Sequence, residues 1–546
     1  MASLTPFSGP LGKRLAKHFL RRLSWNVTRA RIDQFAALTA AEAVDLIVTT
    51  QTPSMDQPVD PADGQPWINP TVTTTLTQDA ALRFVVVSWW LNEARLDHSI
   101  GSKMQFFWHQ QFTASAVTTG CASGNWFDHL ALLRQFSIGN VQVLAKKIIA
   151  DNTMLKYLNN NENTKTNPNE NFAREFFELF TIQKGPQIGQ GDYTNYTEDD
   201  IIQSAKILTG FRFAPRNNAL YIDPETNLPR GRALITQHDK TDKTFSAHFG
   251  GKKITGAQTE AAMWAELDEF VKMIFDQDET AKSYVRRLYR FFVSRFIDAE
   301  IETDIIAPLA AELKSGGYEI KPILKKLFSS QHFMDADDAQ STDELIGGMI
   351  KSPVETVLQT MTMFDIAVPD PITQGNAHYL GFWSRSVQNV MFNYAGLTFH
   401  TPADVAGYPA FYQEPDYHRS WFNSATVVCR YKIAEMFLTG TRVLASGNLG
   451  GVRLDLAKWL KTTNTFTNIG DAQGLVEQFC EYLLPEMPDT DRMTYFLENV
   501  FSDGLPLSDW AYEWDKFLTT DNATEVNLWL GRLLTGIMYS PEYQLF

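Results

Sequence analysis

Helical periodicity is the feature of this 546-residue chain that most limits its fold. Apolar side chains recur at intervals of three and four residues over most of its length, which places them on one face of an α-helix. Strand signals are sparse. The clearest is a predicted hairpin in which residues 245–249 and 253–254 are joined through Gly250 and Gly251. The pattern therefore predicts an all-α fold, a large multi-helix domain with a minor β-hairpin.

The chain is long enough for more than one domain, and its hydrophobic content of 44% supports a substantial packed core. The polar run DADDAQSTD, at residues 335–343, marks the predicted boundary between two parts. We expect an N-terminal helical subdomain at residues 1–335, which carries the motifs NENFARE, YTEDD and HDKTDK. A C-terminal helical subdomain is expected at residues 343–546.

The run NPNENFAREFFELFT, at residues 167–181, predicts a helix that carries charged side chains among phenylalanines. Glu175 and Glu178 lie three residues apart and therefore share a face of a regular helix. Because this helix is apolar around most of its circumference, we expect its carboxylates to be partly buried, where each needs a cation, a donor or a proton. Arg174 could satisfy them in an ion-pair and capping network. Alternatively, Glu175 and Glu178 are metal ligands or an acid/base pair.

Histidines and further acids supply the other candidate groups. His238 and Asp239 follow a long irregular segment, and adjacent His and Asp side chains can reach one cation from a loop. Asp239 could equally cap the following turn. His109 lies in a predicted aromatic helix, where a lone histidine is more often a hydrogen-bonded core residue than a ligand. Asp200 is predicted first as part of a capping box with Thr197.

These residue types are the ones that hold zinc, manganese or iron in mixed nitrogen and oxygen sites. The enzyme hypothesis assigns catalytic roles to Glu175, Glu178 and His109, and predicts a divalent metal ion held by Glu175, Glu178, His238 and Asp239. Asp200 is a further candidate ligand. The chain lacks the G-x-S-x-G, P-loop and G-x-G-x-x-G motifs, which argues against an α/β-hydrolase, a nucleoside triphosphatase and a dinucleotide-binding protein.

The net charge of -15 disfavours nucleic acid and anionic membrane surfaces as partners, because both would be repelled. The longest apolar run, residues 84–91, is too short to span a bilayer, so we expect no membrane insertion. The start of the chain is basic, but no apolar run of signal-peptide length follows it. Cys121, Cys429 and Cys480 are isolated, which argues against a disulfide framework or a structural zinc site. Taken alone, these features indicate a cytoplasmic protein.

Several long motifs follow one another along nearly the whole chain. They are LGKRLAKHFLRR near the start, KMQFFWHQQF at 103–112, LLRQFSIGN at 132–140, NPNENFAREFFELFT at 167–181, YTEDDIIQSAKILTGFR at 196–212, HDKTDKTF at 238–245, KSPVE at 351–355 and the final MYSPEYQLF. In this order they resemble a bacterial family of proteins, domain-of-unknown-function family number 1800. The resemblance implies no reaction. Many members of that family look exported, so the sequence leaves the localisation open.

Two functions of different classes follow from these observations. In the first, the protein is a metal-dependent enzyme that uses the Glu/His/Asp site. In the second, it is a noncatalytic scaffold or partner protein. The resemblance implies a partner of the alkaline-phosphatase-like class in this second case, since such exported proteins are often encoded beside family members. The aromatic residues between 408 and 417, with Trp421, would then form an exposed interaction surface.

Overall fold

Helices dominate the computed structural model, which describes residues 2–50, 52, 54–68, 76–337, 345–440, 454–463 and 465–546. The α-helices before residue 337 are α1 (Gly12–Leu23), α2 (Arg29–Ala36), α3 (Ala40–Thr49), α4 (Leu76–Leu96), α5 (Gly101–Gln111), α6 (Ser123–Gln135), α7 (Val141–Ile149), α8 (Asn152–Tyr157), α9 (Glu170–Glu175), α10 (Glu198–Ile207), α11 (Glu260–Phe275), α12 (Asp278–Phe292), α13 (Ala299–Ile301), α14 (Ala307–Ser315) and α15 (Ile320–Phe328).

Helices also form most of the second half of the chain. The α-helices after residue 345 are α16 (Pro353–Met363), α17 (Asn376–Leu380), α18 (Pro409–Tyr412), α19 (Thr426–Thr439), α20 (Leu456–Thr462), α21 (Ala472–Leu483), α22 (Thr490–Thr494), α23 (Leu507–Thr520) and α24 (Thr524–Met538). Short 3₁₀ turns are formed by Asn160–Glu162, Ala219–Tyr221, Ala247–Phe249, Tyr417–Trp421 and Glu542–Gln544.

Some helices continue as π-helix, in which the hydrogen bonds run from residue i to i+5. The π-helical segments are Phe176–Phe180, Glu302–Ile306, Gly381–Phe392 and Tyr495–Phe501. Single π-turns inside helices frequently lie at functional sites. In the predicted motif helix, Glu175 is the last residue of α9 and Glu178 lies within the π-turn that follows.

Strands are short and, among the described residues, pair into antiparallel two-stranded sheets. The pairs are β1 (Gln187–Gly189) with β2 (Asp192–Tyr193), β3 (Phe211–Arg212) with β4 (Arg232–Ala233), and β5 (Lys243–Thr244) with β6 (Lys253–Ile254). The predicted second strand is present, but its partner lies at residues 243–244 rather than 245–249. A tertiary contact explains the difference. Asp200 accepts hydrogen bonds from Ser246 N and Oγ, both at 2.7 Å, and a 3₁₀ turn follows. The mostly helical fold with minor hairpins is confirmed.

Helix starts follow local sequence signals. The Thr197 side chain accepts a hydrogen bond from Asp200 N, and Asp200 Oδ2 accepts one from Thr197 N at 2.8 Å, which is the predicted capping box at the start of α10. The same arrangement of Ser352 and Glu355 begins α16. Both boxes satisfy backbone N–H groups that the first helical turn leaves without partners.

The apolar core extends across the predicted boundary between subdomains. In α1, Lys17 Nζ donates to the Glu481 carbonyl oxygen at 2.7 Å. Lys103 on α5 and Glu355 on α16 form a buried ion pair that crosses the same boundary. Residues 338–343 of the predicted linker lie outside the described residues, so the division into two subdomains stays a prediction.

No helix in the part of the chain that the structure describes is both long and apolar enough to cross a membrane. Cys121, Cys429 and Cys480 carry free thiols.

Candidate functional site

A cleft of about 190 Å³ lies where the predicted motif helix meets α5, α12 and the segment that includes α18. We call it the motif cleft. The polar residues that line it are Gln110, Gln111, Glu178, Gln183, Arg287, Arg290, Tyr412, Glu414 and Tyr417. These side chains come from separate parts of the sequence, so the cleft exists only in the folded protein.

Glu178 contributes a carboxylate surrounded by donors. Its Oε1 accepts a hydrogen bond from the Tyr196 hydroxyl at 2.8 Å and lies 3.1 Å from Lys184 Nζ. Arg174 Nη1 is 3.9 Å from the same oxygen, while Arg174 makes its closer ion pair with Glu198, at 2.8 Å. The Glu178 side chain is 22% exposed. The carboxylate is therefore held by protein groups and still reaches the cleft.

Glu175, directly before the π-turn, lies among acids instead. Burial raises the pKa of its carboxyl, and the negative charges of Glu178 and Asp404 raise it further against an opposing effect of Arg174. Tyr157 faces the same charges: burial, and then Asp404 and Glu175, raise the pKa of its hydroxyl to about 12. The two motif carboxylates thus have unequal environments. Such a difference is how proteins separate a proton donor from a second carboxylate with another role.

Two arginines one helical turn apart on α12 add positive charge to the cleft. Arg287 Nη1 donates to Gln111 Oε1 at 2.9 Å, and no described Asp or Glu forms an ion pair with Arg287. Burial, and then the charge of Arg290, lower the pKa of the Arg287 guanidinium to about 10. Arg290 lies 3.4 Å from Glu414 Oε1 and packs over the Tyr417 ring at 4.9 Å from its centroid. The cleft therefore contains a guanidinium that forms no ion pair with a carboxylate of the described residues.

Gln110 reaches the cleft from α5 with a buried amide. The residue is 6% exposed, and neither Oε1 nor Nε2 has a hydrogen-bond partner among the described residues. A turn closes over it: a Cβ on Gly407 would lie 3.2 Å from Gln110 Oε1, and Gly407 has a φ of +95°. Glycine permits both this approach and this backbone conformation. Buried polar atoms without partners are rare in native proteins, and each calls for a functional explanation or a bound group.

Two walls of the cleft are the helices that contain KMQFFWHQQF and NENFARE, motifs on which the family resemblance rests. The family model described as Protein of unknown function (DUF1800) matches residues 18–545. The chain belongs to the DUF1800 family. No curated protein and no solved structure matches it. Membership of DUF1800 therefore places the cleft within a family but assigns it no reaction.

His238, predicted as a metal ligand, belongs to a separate buried network of this DUF1800 protein. Its Nε2 lies 2.8 Å from Glu266 Oε2, and its Nδ1 lies 2.8 Å from the Thr209 carbonyl oxygen. Lys243 Nζ donates to the other Glu266 oxygen at 2.7 Å. Both ring nitrogens of His238 are thus engaged by protein groups.

Asp239 and Asp200 use their carboxylates to hold turns. Asp239 Oδ1 accepts a hydrogen bond from Thr241 N at 2.8 Å, which is the turn-capping role considered as the alternative. Asp200 is occupied by its capping box and by Ser246. No group of three or more His, Cys, Asp or Glu side chains in the described ranges is arranged so that it could hold a metal ion. The structure does not bring the predicted ligands together, and metal binding stays a prediction for Glu175, Glu178, His238 and Asp239.

His109, predicted to support catalysis, lies behind the cleft in a cluster of rings. Its ring centroid is 4.9 Å from that of His400, 6.5 Å from that of His129 and 5.8 Å from that of Trp126. The residue is buried, and neither ring nitrogen has a hydrogen-bond partner among the residues described. Burial, and then the charge of His129, lower its pKa to about 3, so the imidazole is neutral at pH 7. His109 neighbours Gln110 in sequence but does not line the cleft.

The aromatic surface expected between residues 408 and 417 is mostly buried, so the prediction of an exposed interaction surface is wrong. Tyr412 is 38% exposed at the cleft, whereas three other rings expose only 3%, 6% and 3% of their surface, namely Tyr408, Tyr417 and Trp421. The segment turns inward through α18 and the 3₁₀ turn that follows. Trp421 packs on Phe411 with ring centroids 5.8 Å apart. Apart from that of Tyr412, the rings of this segment pack into the core and form no exposed surface.

A second cavity, of about 150 Å³, lies between α6, α7 and residues 223–230, part of an irregular segment noted in the sequence. Its charges neutralise one another. Lys147 Nζ is 2.9 Å from Asp223 Oδ1, and Arg216 forms an ion pair with Asp128. These internal pairs leave less charge for a ligand than the motif cleft does.

Sequence reasoning missed Arg287, Gln110 and Asp404. Arg287 and Arg290 have the three-residue spacing of one helix face, and Gln110 directly follows His109, so local signals for both existed. Asp404 is far from Glu175 in the chain, and no local pattern indicates that their charges interact. The DUF1800 motifs include the motif helix and Gln110 but neither Arg287 nor Asp404.

Proposed function

We propose that this protein is an enzyme that performs general acid–base catalysis at the motif cleft. Glu178, which lines the cleft, is the carboxylate that orients the attacking water. Glu175, which precedes it on the motif helix and is not among the lining residues, is the proton donor. One observation carries the proposal, namely the unequal environments of two carboxylates three residues apart. Burial and neighbouring acids raise the pKa of Glu175. Glu178 contacts Lys184 and Tyr196 instead. This separation suits one carboxyl to give a proton and the other to act as a base.

The chemistry that fits these groups is hydrolysis of a small polar substrate. Glu175 protonates the leaving oxygen or nitrogen as its bond to carbon breaks. A water molecule, oriented by Glu178, adds its oxygen to that carbon and gives its proton to Glu178. That proton then passes to solvent, and Glu175 takes one back from solvent, so both groups return to their starting states. The π-turn that follows Glu175 and contains Glu178 supports the proposal, because such turns are frequent at functional sites. The metal ligands predicted from the sequence include the same two carboxylates, so metal dependence is part of the test.

The test is hydrolysis across a panel of esters, amides and glycosides, followed by comparison of variants on the substrate that reacts. Glu175→Gln is expected to lower kcat/KM by about 10²- to 10⁴-fold, the usual contribution of a general acid. Because the donor must be protonated, the rate should fall as the pH rises through the raised pKa of Glu175. The matched control is Glu170→Gln on the same helix, where Glu170 pairs with Arg174 at 3.1 Å, and it should change kcat/KM by no more than about twofold.

An unchanged kcat/KM in Glu175→Gln would reject the proposal. If dialysis against a chelator abolishes the activity, and zinc or manganese restores it, the result would instead support the metal-dependent enzyme predicted from the sequence. The noncatalytic alternative is a scaffold or a partner of an alkaline-phosphatase-like protein, as the family resemblance implies. The aromatic surface that was expected to serve it is buried. The alternative stays a prediction without a surface assigned to it.

A further inference from the structure

We propose that the motif cleft binds its substrate through a carboxylate group of the substrate, held by Arg287 with Arg290 beside it. The inference rests on the proposed function, because it names the substrate class of the same site. The ligand class is a small carboxylic acid that also carries an amide or hydroxyl group. Three features support it. Arg287 carries a positive charge, the acids on the other walls of the cleft disfavour a ligand with two negative charges, and Gln110 has a buried amide.

Arg287 is a cleft cation without a carboxylate partner in the described part of the chain. A guanidinium has five N–H donors, and one of these is used by Gln111 Oε1 at 2.9 Å. The neighbouring Arg286 shows the contrast, since its guanidinium lies 2.6 Å from Glu302 and also pairs with Glu279. A cation removed from water normally keeps an anion close. Arg287 therefore has both charge and donors available for an anion that enters the cleft.

The remaining charges of the cleft favour a ligand with one negative charge over one with two. Glu178 and Glu414 also line the cleft, and the charge of Asp404 acts on Glu175 next to it. These acids repel a phosphate dianion more strongly than a carboxylate. The planar edge of a guanidinium presents two N–H groups that match the two oxygens of a carboxylate.

Arg290 contributes a second positive charge to the cleft. Its contact with the exposed Glu414 is long, at 3.4 Å, and its Nε has no hydrogen-bond partner among the described residues. Exposed ion pairs of this kind are weak and are readily exchanged for another anion. Arg287 and Arg290 together therefore provide a site for a single carboxylate.

Gln110 supplies neutral hydrogen-bonding groups to the same ligand. Its Oε1 can accept from, and its Nε2 can donate to, an amide or hydroxyl group. The next residue, Gln111, orients Arg287, so the two functions are adjacent in α5. A carboxylic acid with an amide or hydroxyl group would neutralise Arg287 and satisfy the buried amide of Gln110 at the same time.

The test is equilibrium binding to the full chain by isothermal titration calorimetry, with N-acetylglycine as the probe. N-acetylglycinamide lacks the charge, and inorganic phosphate carries a different anion. N-acetylglycine is expected to bind with a Kd of about 1 mM, and the other two compounds roughly 10-fold or more weakly than that. Arg287→Gln should weaken N-acetylglycine binding by roughly 10- to 100-fold. The matched control, Arg286→Gln, should leave the Kd unchanged.

Arg287→Lys keeps the charge but loses the two-donor edge, so its affinity should lie between those of the wild type and Arg287→Gln. It takes the place of Arg287→Gln if thermal melting shows that the latter does not fold. Equal Kd values for the wild type and the Arg287 variants, tighter binding of phosphate, or no N-acetylglycine binding at about 10 mM would overturn the inference. Binding is measured without turnover, so failure of this inference is distinct from failure of Glu175→Gln to reduce the rate.

Discussion

At the scale of single residues, the neighbours of a carboxylate decide its role. Glu266 is buried, and its two oxygens are occupied by His238, Lys243 and the backbone N of Ala257. Glu178 has donors on one side and the cleft on the other. Both are helical glutamates near a lysine, which the sequence alone does not distinguish. The first stabilises the fold, and the second is available to a ligand.

Substitution of Glu266 tests this structural role. Glu266→Gln should lower the free energy of unfolding by about 3–5 kcal/mol, because the buried ammonium of Lys243 loses its carboxylate. The matched control is Glu269→Gln on the same helix, where the exposed pair with Lys252 spans 3.4 Å and should contribute less than about 0.5 kcal/mol. Urea unfolding of each variant measures both values. If Glu266→Gln lowers the free energy of unfolding as little as the control does, the network of Glu266 has no stabilising role. That result would favour the prediction that His238 is a metal ligand.

At the scale of elements, helix starts are local but helix continuation is not. The capping box of Thr197 and Asp200 is visible in the sequence because its partners lie three residues apart. The change from α9 to the π-turn Phe176–Phe180 has no such signal. Since a π-turn shifts the hydrogen bonds from i+4 to i+5, it also shifts Glu178 relative to the face that regular helical spacing predicts.

The cap of α10 gives an element-scale prediction. Thr197→Ala removes the acceptor for Asp200 N, at 3.3 Å, and should lower the free energy of unfolding by about 1 kcal/mol. The amides of the first turn of α10 should also exchange faster with solvent. Thr197→Ser keeps the hydroxyl and should change the free energy by less than about 0.5 kcal/mol. Equal losses in the Ala and Ser variants, measured by urea unfolding, would show that the hydroxyl contributes nothing.

At the scale of the whole molecule, charged and ionisable groups are buried in a core that both predicted subdomains share. Arg21 Nη2 on α1 donates to the Tyr482 carbonyl oxygen at 3.1 Å, and Lys103 pairs with Glu355. Burial lowers the pKa of several core histidines, to about 3 for His18, His109 and His418 and well below its usual range for His400. These histidines link folding to pH across the molecule.

We therefore expect unfolding in mild acid. Below about pH 6.5 each of these histidines binds a proton in the unfolded chain but not in the folded one, so stability present above that pH is lost as the pH falls toward 3. The slope is about 1.4 kcal/mol per pH unit for each histidine, or roughly 6 kcal/mol per pH unit for four. Calorimetry should show a Tm that falls steeply between pH 6.5 and 5.

Variants separate the contribution of one buried histidine. His109→Gln should reduce the slope by about a quarter, while His378→Gln, at an exposed position, should leave it unchanged. A Tm that stays constant from pH 7 to pH 5 would contradict the prediction.

Because contacts cross the predicted boundary, we expect one cooperative transition. Two separate transitions would instead support independent subdomains at residues 1–335 and 343–546.

The sequence by itself determined the helical class, the family and many helix starts. Apolar spacing, the capping box of Thr197 and Asp200, and the motif 167–181 act over three or four residues or through composition. These signals can be recognised without knowledge of any distant contact. The structure confirms the helical class and the capping box of α10, and the family match confirms the family. The sequence also pointed to the motif helix that forms one wall of the candidate site.

Only the tertiary structure decided which side chains face that helix. Arg287, Gln110 and Asp404 reach it from distant parts of the chain, and Glu266 lies beside the imidazole of His238. The same packing turned the predicted aromatic surface inward. The burial of a side chain, its pKa and the pairing of its charge depend on contacts between residues far apart in sequence. Local sequence patterns do not indicate those contacts.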